Sequence, residues 1–375
     1  MELCTQGYNI TTGDGVGQFC KETIQVNQNN YLLDILTHTC TTLIILFSVL
    51  GVATNVLNTV VYCQMGIRET VNITFIALSI WDLIACLCSC LTLICKFWET
   101  YFPLAAVNLL SVQYVYIGYT RGFMYDLSTI DTVYLTIERS VCIMIPFKVK
   151  DIFTTTRVCI INVIIVMFCV ACFSPAWATQ GLQWVFDPVF NMTRLSLWLS
   201  YNRRSISLFI DTFNGMVLPV LAQILIAVSA GVMIRGVKNS SKFRRQAANL
   251  TKIKDTFLTE QTTTSKTLPS SHQSKNNITL NKDLKVTKVV ILLAMIFFVC
   301  NSSVFIVAFI RVLIPEIDVG GQQYQLYAQL YALVVLSGMV NATVNIVVYY
   351  TVSTKYRKEI VRLFRWAGTR RFTQD

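Results

Sequence analysis

The chain has 375 residues, of which 54% are apolar and only 14% charged, yet its formal net charge is +11. Soluble domains carry about 25% charged residues, so the composition excludes an ordinary soluble enzyme and fits a chain buried repeatedly in lipid. The positive excess lies in a few loops rather than in one patch, so nucleic acid is not an expected partner, whereas membrane topology demands such a distribution.

Residues 1–37 form a polar segment with one basic residue, Lys21, against Glu2, Asp14, Glu22 and Asp34. It holds the glycosylation sequon at Asn9, and Cys4 and Cys20, a pair able to bridge if the segment is extracellular. No cleavable signal peptide is evident, because the first thirty residues are polar and the first apolar run is long enough to span. Seven apolar runs follow, near 40–65, 73–97, 107–143, 158–177, 206–234, 286–313 and 324–350, each about long enough to cross a bilayer. The third and fifth exceed what crossing needs, so they tilt or protrude. The expected fold is all-α: a seven-transmembrane helix bundle over 38–351, closed by a short amphipathic helix and tail over 352–375.

The third run stands apart. It carries Arg121, Asp126, Asp131, Glu138 and Arg139, and charge inside an apolar helix is costly and usually functional. Arg121 and Arg139 are eighteen residues apart, about five turns, which puts them on one face about 27 Å apart, close to a hydrocarbon core of about 30 Å. Ser128 falls nearly on that face. Such a stripe faces other helices rather than lipid. Asp126 lies about 140° round the helix from Arg121 and is not placed to pair with it.

The loops orient the bundle. Residues 235–288 carry twelve Lys and Arg against three acids, the loop after the third run has Lys148, Lys150 and Arg157, and seven more basic residues lie from Lys355 onward. The positive-inside rule then puts the N-terminus outside. The sequon at Asn191 falls outside with it, and that at Asn277 inside, unmodified. Residues 239–283 read as a mobile cytoplasmic linker, rich in Ser, Thr, Lys and Asn, whose hydroxyls near basic residues are candidates for phosphorylation. After the seventh run, Tyr356, Ile360, Leu363 and Phe364 recur at helical spacing with Lys and Arg opposite, the pattern of a helix lying on the inner leaflet. The thirteen cysteines fall mostly inside apolar runs, and the histidines are His38 and His272 alone, so neither a Cys/His metal cluster nor the constellation of a membrane enzyme is present. Internal repeats and paired broken helices, the marks of a transporter, are also missing.

Motifs in register sharpen the reading. The first run has Gly51-Val-Ala-Thr-Asn55, the second Leu78-Ser-Ile-Trp-Asp82, the third Glu138-Arg139-Ser140 followed by Pro146, the fifth Pro219, and the seventh Asn345-Ile-Val-Val-Tyr349. Together they resemble the rhodopsin-like family of G-protein-coupled receptors over most of the chain. That resemblance implies a plasma-membrane receptor that passes an extracellular signal to a heterotrimeric G protein. It implies a switch made by Glu138, Arg139, Asp283 and Tyr349, in which Arg139 pairs with Glu138 and with Asp283 at the base of the sixth span. A snorkelling anchor is the plain alternative for Arg139. It also implies an internal sodium pocket made by Asn55, Asp82, Ser128, Asn341 and Asn345, as an allosteric site rather than a cofactor; a protonated, hydrogen-bonded Asp82 is the alternative. Pro219 removes a donor and frees the carbonyl of Gly215, so a kink is expected there.

The chain departs from the family in several places. Tyr114 stands where the family has a cysteine, and 178–202 lack the cysteine that would pair with it, so the loop after the fourth run is held by other means. The sixth run has Asn301 and Ser303 where relatives have tryptophan and proline, the seventh lacks the proline of NPxxY, and Ala227 replaces a tyrosine in the fifth. Arg121 replaces the aspartate of amine receptors. With Tyr125 one turn deeper and Arg311 at the far end of the sixth run, it suits an anionic group; pairing of Arg121 with an acid of another span is the alternative. A looser similarity to invertebrate neuropeptide and chemosensory receptors makes a peptide the favoured ligand. A small acidic ligand is the alternative within receptors, and a non-coupling decoy or scaffold the alternative outside signalling.

Overall fold

The computed structural model describes residues 31–102, 104–145, 148–188, 190–259, 271–314, 316–317 and 322–371. Seven long helices pack together: α1 (Tyr31–Met65), α2 (Thr70–Tyr101), α3 (109–144), α4 (Thr155–Ala178), α5 (203–259), α6 (Ser271–Leu313) and α7 (Tyr324–Val352). Packing α7 against α1 and α2 closes the bundle, while α3 runs through its middle against α2, α4, α5 and α6. α8 (Thr354–Arg371) turns away after Ser353, whose hydroxyl accepts from the Tyr356 amide at 3.2 Å, an N-cap that starts the new helix.

Six of these helices are long and apolar enough to cross a membrane: α1, α2, α4, α5, α6 and α7. α3 has the length but bears the five charges. The packing is that of a multi-pass membrane protein. Val163, Ile164 and Met167 on α4 are each at least 60% exposed, whereas Asn55, Asn58, Asp82 and Ser128 are buried. Apolar outside and polar inside is the arrangement a lipid solvent imposes.

Three features differ from the sequence expectation. First, the chain is not wholly α-helical. β1 (Gln180–Asp187) and β2 (Met192–Leu199) form an antiparallel hairpin, paired from Gln180↔Leu199 to Asp187↔Met192. The segment is short, rich in Trp, Phe, Val and Leu, and bounded by turn residues, which suits strands, and seven-run counting passes over it. Second, α1 begins at Tyr31, inside the predicted extracellular segment; Asn9, Cys4 and Cys20 lie outside the described residues. Third, the predicted linker 239–283 has helical backbone over 239–259 and 271–283. Phe243, Ala247, Leu250 and Ile253 recur there at helical spacing among Lys, Arg and Gln, all good helix formers.

Two wide turns interrupt the long helices. A π turn at Gln113–Gly118 lies near the start of α3, and another at Phe213–Val217 in α5. The second ends two residues before Pro219 and contains Gly215, so the irregularity expected from the missing donor takes the form of a π turn. Gly51 lets α1, α2 and α7 meet, because a Cβ there would collide with Cys86 Sγ and stand 3.0 Å from Thr343 Oγ1. Gly51→Val is expected to lower the stability of the purified protein by about 1–3 kcal/mol, the usual cost of overpacking, read as a drop in thermal midpoint. An unchanged midpoint would mean the three helices are not in this contact.

Candidate functional site

α3 carries its polar residues down one side of the bundle, from the end that holds the hairpin to the end that holds α8. Near the hairpin end, Arg121 Nη2 donates to Tyr331 Oη of α7 at 3.3 Å, and no carboxylate pairs with Arg121 among the described residues. Tyr331 stacks on Tyr327 one turn away, and the Arg311 guanidinium of α6 lies 5.2 Å from the centre of the Tyr327 ring. Two predicted ligand residues on different helices are therefore linked through a tyrosine pair that the sequence reading did not include. Both tyrosines sit at i, i+4 on α7, a spacing that puts them on one face.

One turn deeper, Tyr125 donates to Asn301 Oδ1 of α6 at 2.7 Å. Asn301 is buried, and its Nδ2 has no acceptor among the described residues. Gly338 of α7 makes room for the tyrosine: a Cβ there would stand 2.8 Å from Tyr125 Cε2. Tyr125 is thus a joint between α3, α6 and α7 rather than a free wall of a ligand cavity.

At mid-bundle, Asp82 accepts from Ser128 Oγ and from Asn345 Nδ2, both at 2.8 Å. The other two predicted pocket residues do not reach it. Asn55 Nδ2 donates to the carbonyls of Gly51 and Ala342 at 3.0 and 2.9 Å and so braces α1 against α7. Asn341 is buried but is not among the donors to Asp82. A second carboxylate, Asp131, accepts from Trp81 Nε1 at 2.7 Å, which accounts for one acid that the sequence reading noted without a role. Asp126 is buried towards α4, with no donor to it among the described residues.

At the α8 end, Arg139 Nη2 pairs with Glu138 Oε1, which also accepts from Thr70 Oγ1 of α2 at 3.1 Å. Glu138 is fully buried, and both Glu138 Oε2 and Arg139 Nε lack a partner among the described residues. The next residue, Ser140, donates to the Ser229 carbonyl of α5 at 3.0 Å. The backbone of Asp283 is helical, but its side chain lies outside the described residues, as does Pro146. Tyr349 is buried in an aromatic cluster, its ring 5.1 Å from both Tyr62 and Phe75 and 5.5 Å from Tyr356. Tyr356 donates to Asn58 Oδ1 at 2.5 Å, and burial pushes its phenol above the usual range, so it remains a donor. Asn341, Asn345 and Tyr349 recur every fourth residue, so α7 presents them as one stripe.

Asn191 sits exposed in the hairpin turn with φ +49°, a left-handed conformation that asparagine tolerates. The sequence reading missed Glu99, Arg194 and Arg203, which lie outside its motifs. Arg203 donates to the Ala176 carbonyl at 2.7 Å and to Tyr119 Oη, joining α5 to α4 and α3. A buried-arginine search has no sequence signature here, because each partner is distant along the chain.

Tyr125→Phe leaves Asn301 Oδ1 without its donor and is expected to destabilise the protein by about 1–3 kcal/mol. Chemical unfolding of the two purified proteins measures it, and equal midpoints would deny the bond any weight. Comparison of the chain with protein-family models and with curated proteins finds no match to either.

Proposed function

We propose that the chain is a rhodopsin-like G-protein-coupled receptor of the plasma membrane, with α3 crossing the membrane beside the six apolar helices, the N-terminus and hairpin outside, and the α8 end facing the cytoplasm. The observation that carries this reading is the buried Glu138–Arg139 pair at the α8 end of a charged central helix. An arginine held by a neighbouring carboxylate and flanked by Thr70 is a closed arrangement with a second arrangement available, and a switch needs such a bistable element with a gap of a few kcal/mol. A ligand that favours the second arrangement releases Arg139 towards a G protein, and shifts the population only by its differential affinity for the two. The basic helix α8 and the basic ends of α5 and α6 would meet anionic lipid.

The ligand is read from Arg121. A guanidinium whose described bond is to a neutral tyrosine keeps donors and full charge for a carboxylate, and the absence of an acid partner among the described residues supports this over internal pairing. The ligand is therefore an extracellular molecule with an anionic group, an acidic peptide first and a small acid second. Asp82, Ser128 and Asn345 offer oxygen donors suited to a hard cation. A sodium ion bound there would neutralise the Asp82 charge while Ser128 and Asn345 hold the carboxylate in place.

Second-messenger output in cells expressing the chain, challenged with a pool of neuropeptides and acidic metabolites, tests the whole reading. A response is expected that Arg139→Ala abolishes at unchanged surface expression. Surface expression without output to any G-protein class would instead make the chain a non-coupling scaffold. Arg121→Gln is expected to weaken the active ligand by on the order of tenfold or more, the scale of a lost charged hydrogen bond, with maximal output retained. An Asn191→Gln variant should lose a glycosidase-sensitive mobility shift. A wild-type chain without that shift at the cell surface would argue against placing the hairpin outside.

A further inference from the structure

Arg194, in β2, has no exposed surface at all. A buried guanidinium is tolerated only when paired and hydrogen-bonded, and its partners come from three segments. Nη2 lies 2.8 Å from Glu99 Oε1 in the last turn of α2, Nε donates to the Ala105 carbonyl between α2 and α3 at 2.9 Å, and Nη1 lies 3.9 Å from Asp187 Oδ2 on β1. Asp187 is the diagonal neighbour of Arg194 on the same face of the hairpin, since Arg194 pairs with Val185. The Phe190 ring covers the guanidinium at 5.0 Å. Glu99 is buried too, and its other oxygen accepts from the Leu109 amide that opens α3 at 3.1 Å. Main-chain bonds follow the same seam: the Leu195 amide donates to the Ala106 carbonyl at 2.8 Å, and the Asn108 amide to the Leu195 carbonyl at 3.0 Å. At the hairpin root, Gln180 Nε2 donates to the Val115 carbonyl at 2.7 Å, under two turns from Arg121 on α3.

No cysteine takes part. The segment 178–202 contains none, and no disulfide joins the described cysteines.

We propose that Arg194 is a positioning residue: its ion pair with Glu99, flanked by Asp187, tethers the β1–β2 hairpin to α2 and to the start of α3, an electrostatic fastening that a reductant cannot open. The tether fixes the hairpin beside the end of α3 that carries Arg121, and only a consequence of this for ligand entry rests on the receptor reading. Loss of either partner strands a buried charge, so the hairpin opens locally while the bundle stays folded. Such sub-global opening is detectable by proteolysis.

The test is limited chymotrypsin digestion of the full chain purified in detergent, where neither a ligand, a G protein nor sidedness enters. Trp184 and Phe186 are 62% and 57% exposed, so strand opening alone limits cleavage after them, and mass spectrometry of the fragments reports it. Wild-type cleavage at these sites is expected to be equal with and without dithiothreitol. Arg194→Ala and Glu99→Gln are expected to raise it by on the order of tenfold or more, and Arg194→Lys, which keeps the charge but not the fork, to fall between. If Arg194→Ala cannot be recovered folded, Glu99→Gln and Arg194→Lys carry the comparison. Wild-type cleavage rates in both Glu99→Gln and Arg194→Lys would overturn the proposal, as would faster cleavage of the wild type on adding dithiothreitol. A signalling failure with this digestion pattern intact would count against the receptor reading and leave the tether standing.

Discussion

A charge enclosed by apolar helices must find a partner, and that constraint arranges α3 and what packs on it. Arg139 meets Glu138, Asp131 meets the Trp81 indole, and Arg121 meets Tyr331. Asp82 on α2 obeys the same rule through Ser128 and Asn345. Each partner sits on a different neighbour or in the next position, so the charges that make α3 the least lipid-like helix also make it the one most specifically held. Polar contacts fix register and orientation where apolar packing alone tolerates sliding.

The same helices carry the connection between the two ends of the bundle. Tyr125 and Asn301 join α3 to α6 by one hydrogen bond. A buried amide with an unsatisfied donor is a less settled element than a packed ring, and it sits one turn below Arg121. From there the path is continuous along α7, through Asn345 on Asp82 to Tyr349 among Tyr62, Phe75 and Tyr356. Spatial continuity of this kind shows a route for coupling, and the energy it transmits is a separate quantity.

Much of the architecture was legible because lipid makes long apolar runs obligatory, and six helices lie where those runs were read. The charged face of α3 was legible from spacing alone, whereas the pairing of Arg139 with Glu138 was expected from the motif resemblance. The hairpin was passed over because its strands are short and attention to spans treats whatever lies between them as loop. Arg194 and Glu99 were out of reach for another reason: they are separated by the whole of α3, α4 and β1, and nothing local marks either as half of a pair. Asn55 and Asn341 were assigned to the Asp82 pocket by motif, but motifs do not encode hydrogen-bond partners: Asn55 donates to the Gly51 and Ala342 carbonyls, and the direct bonds to Asp82 come from Ser128 and Asn345.

The π turn at Gln113–Gly118 bears on how positions along this chain are counted. It accommodates one residue more than a regular turn, so the backbone upstream is rotated by about 100° relative to a helix counted straight through. Tyr114 lies within that turn. Counting back from Arg139 gives it a regular helical position, but the direction its side chain takes is not the one such a count supposes. Sequence number and spatial position part company above Tyr119, and any alignment that runs through the turn without a gap inherits an error of one residue at the hairpin end of α3.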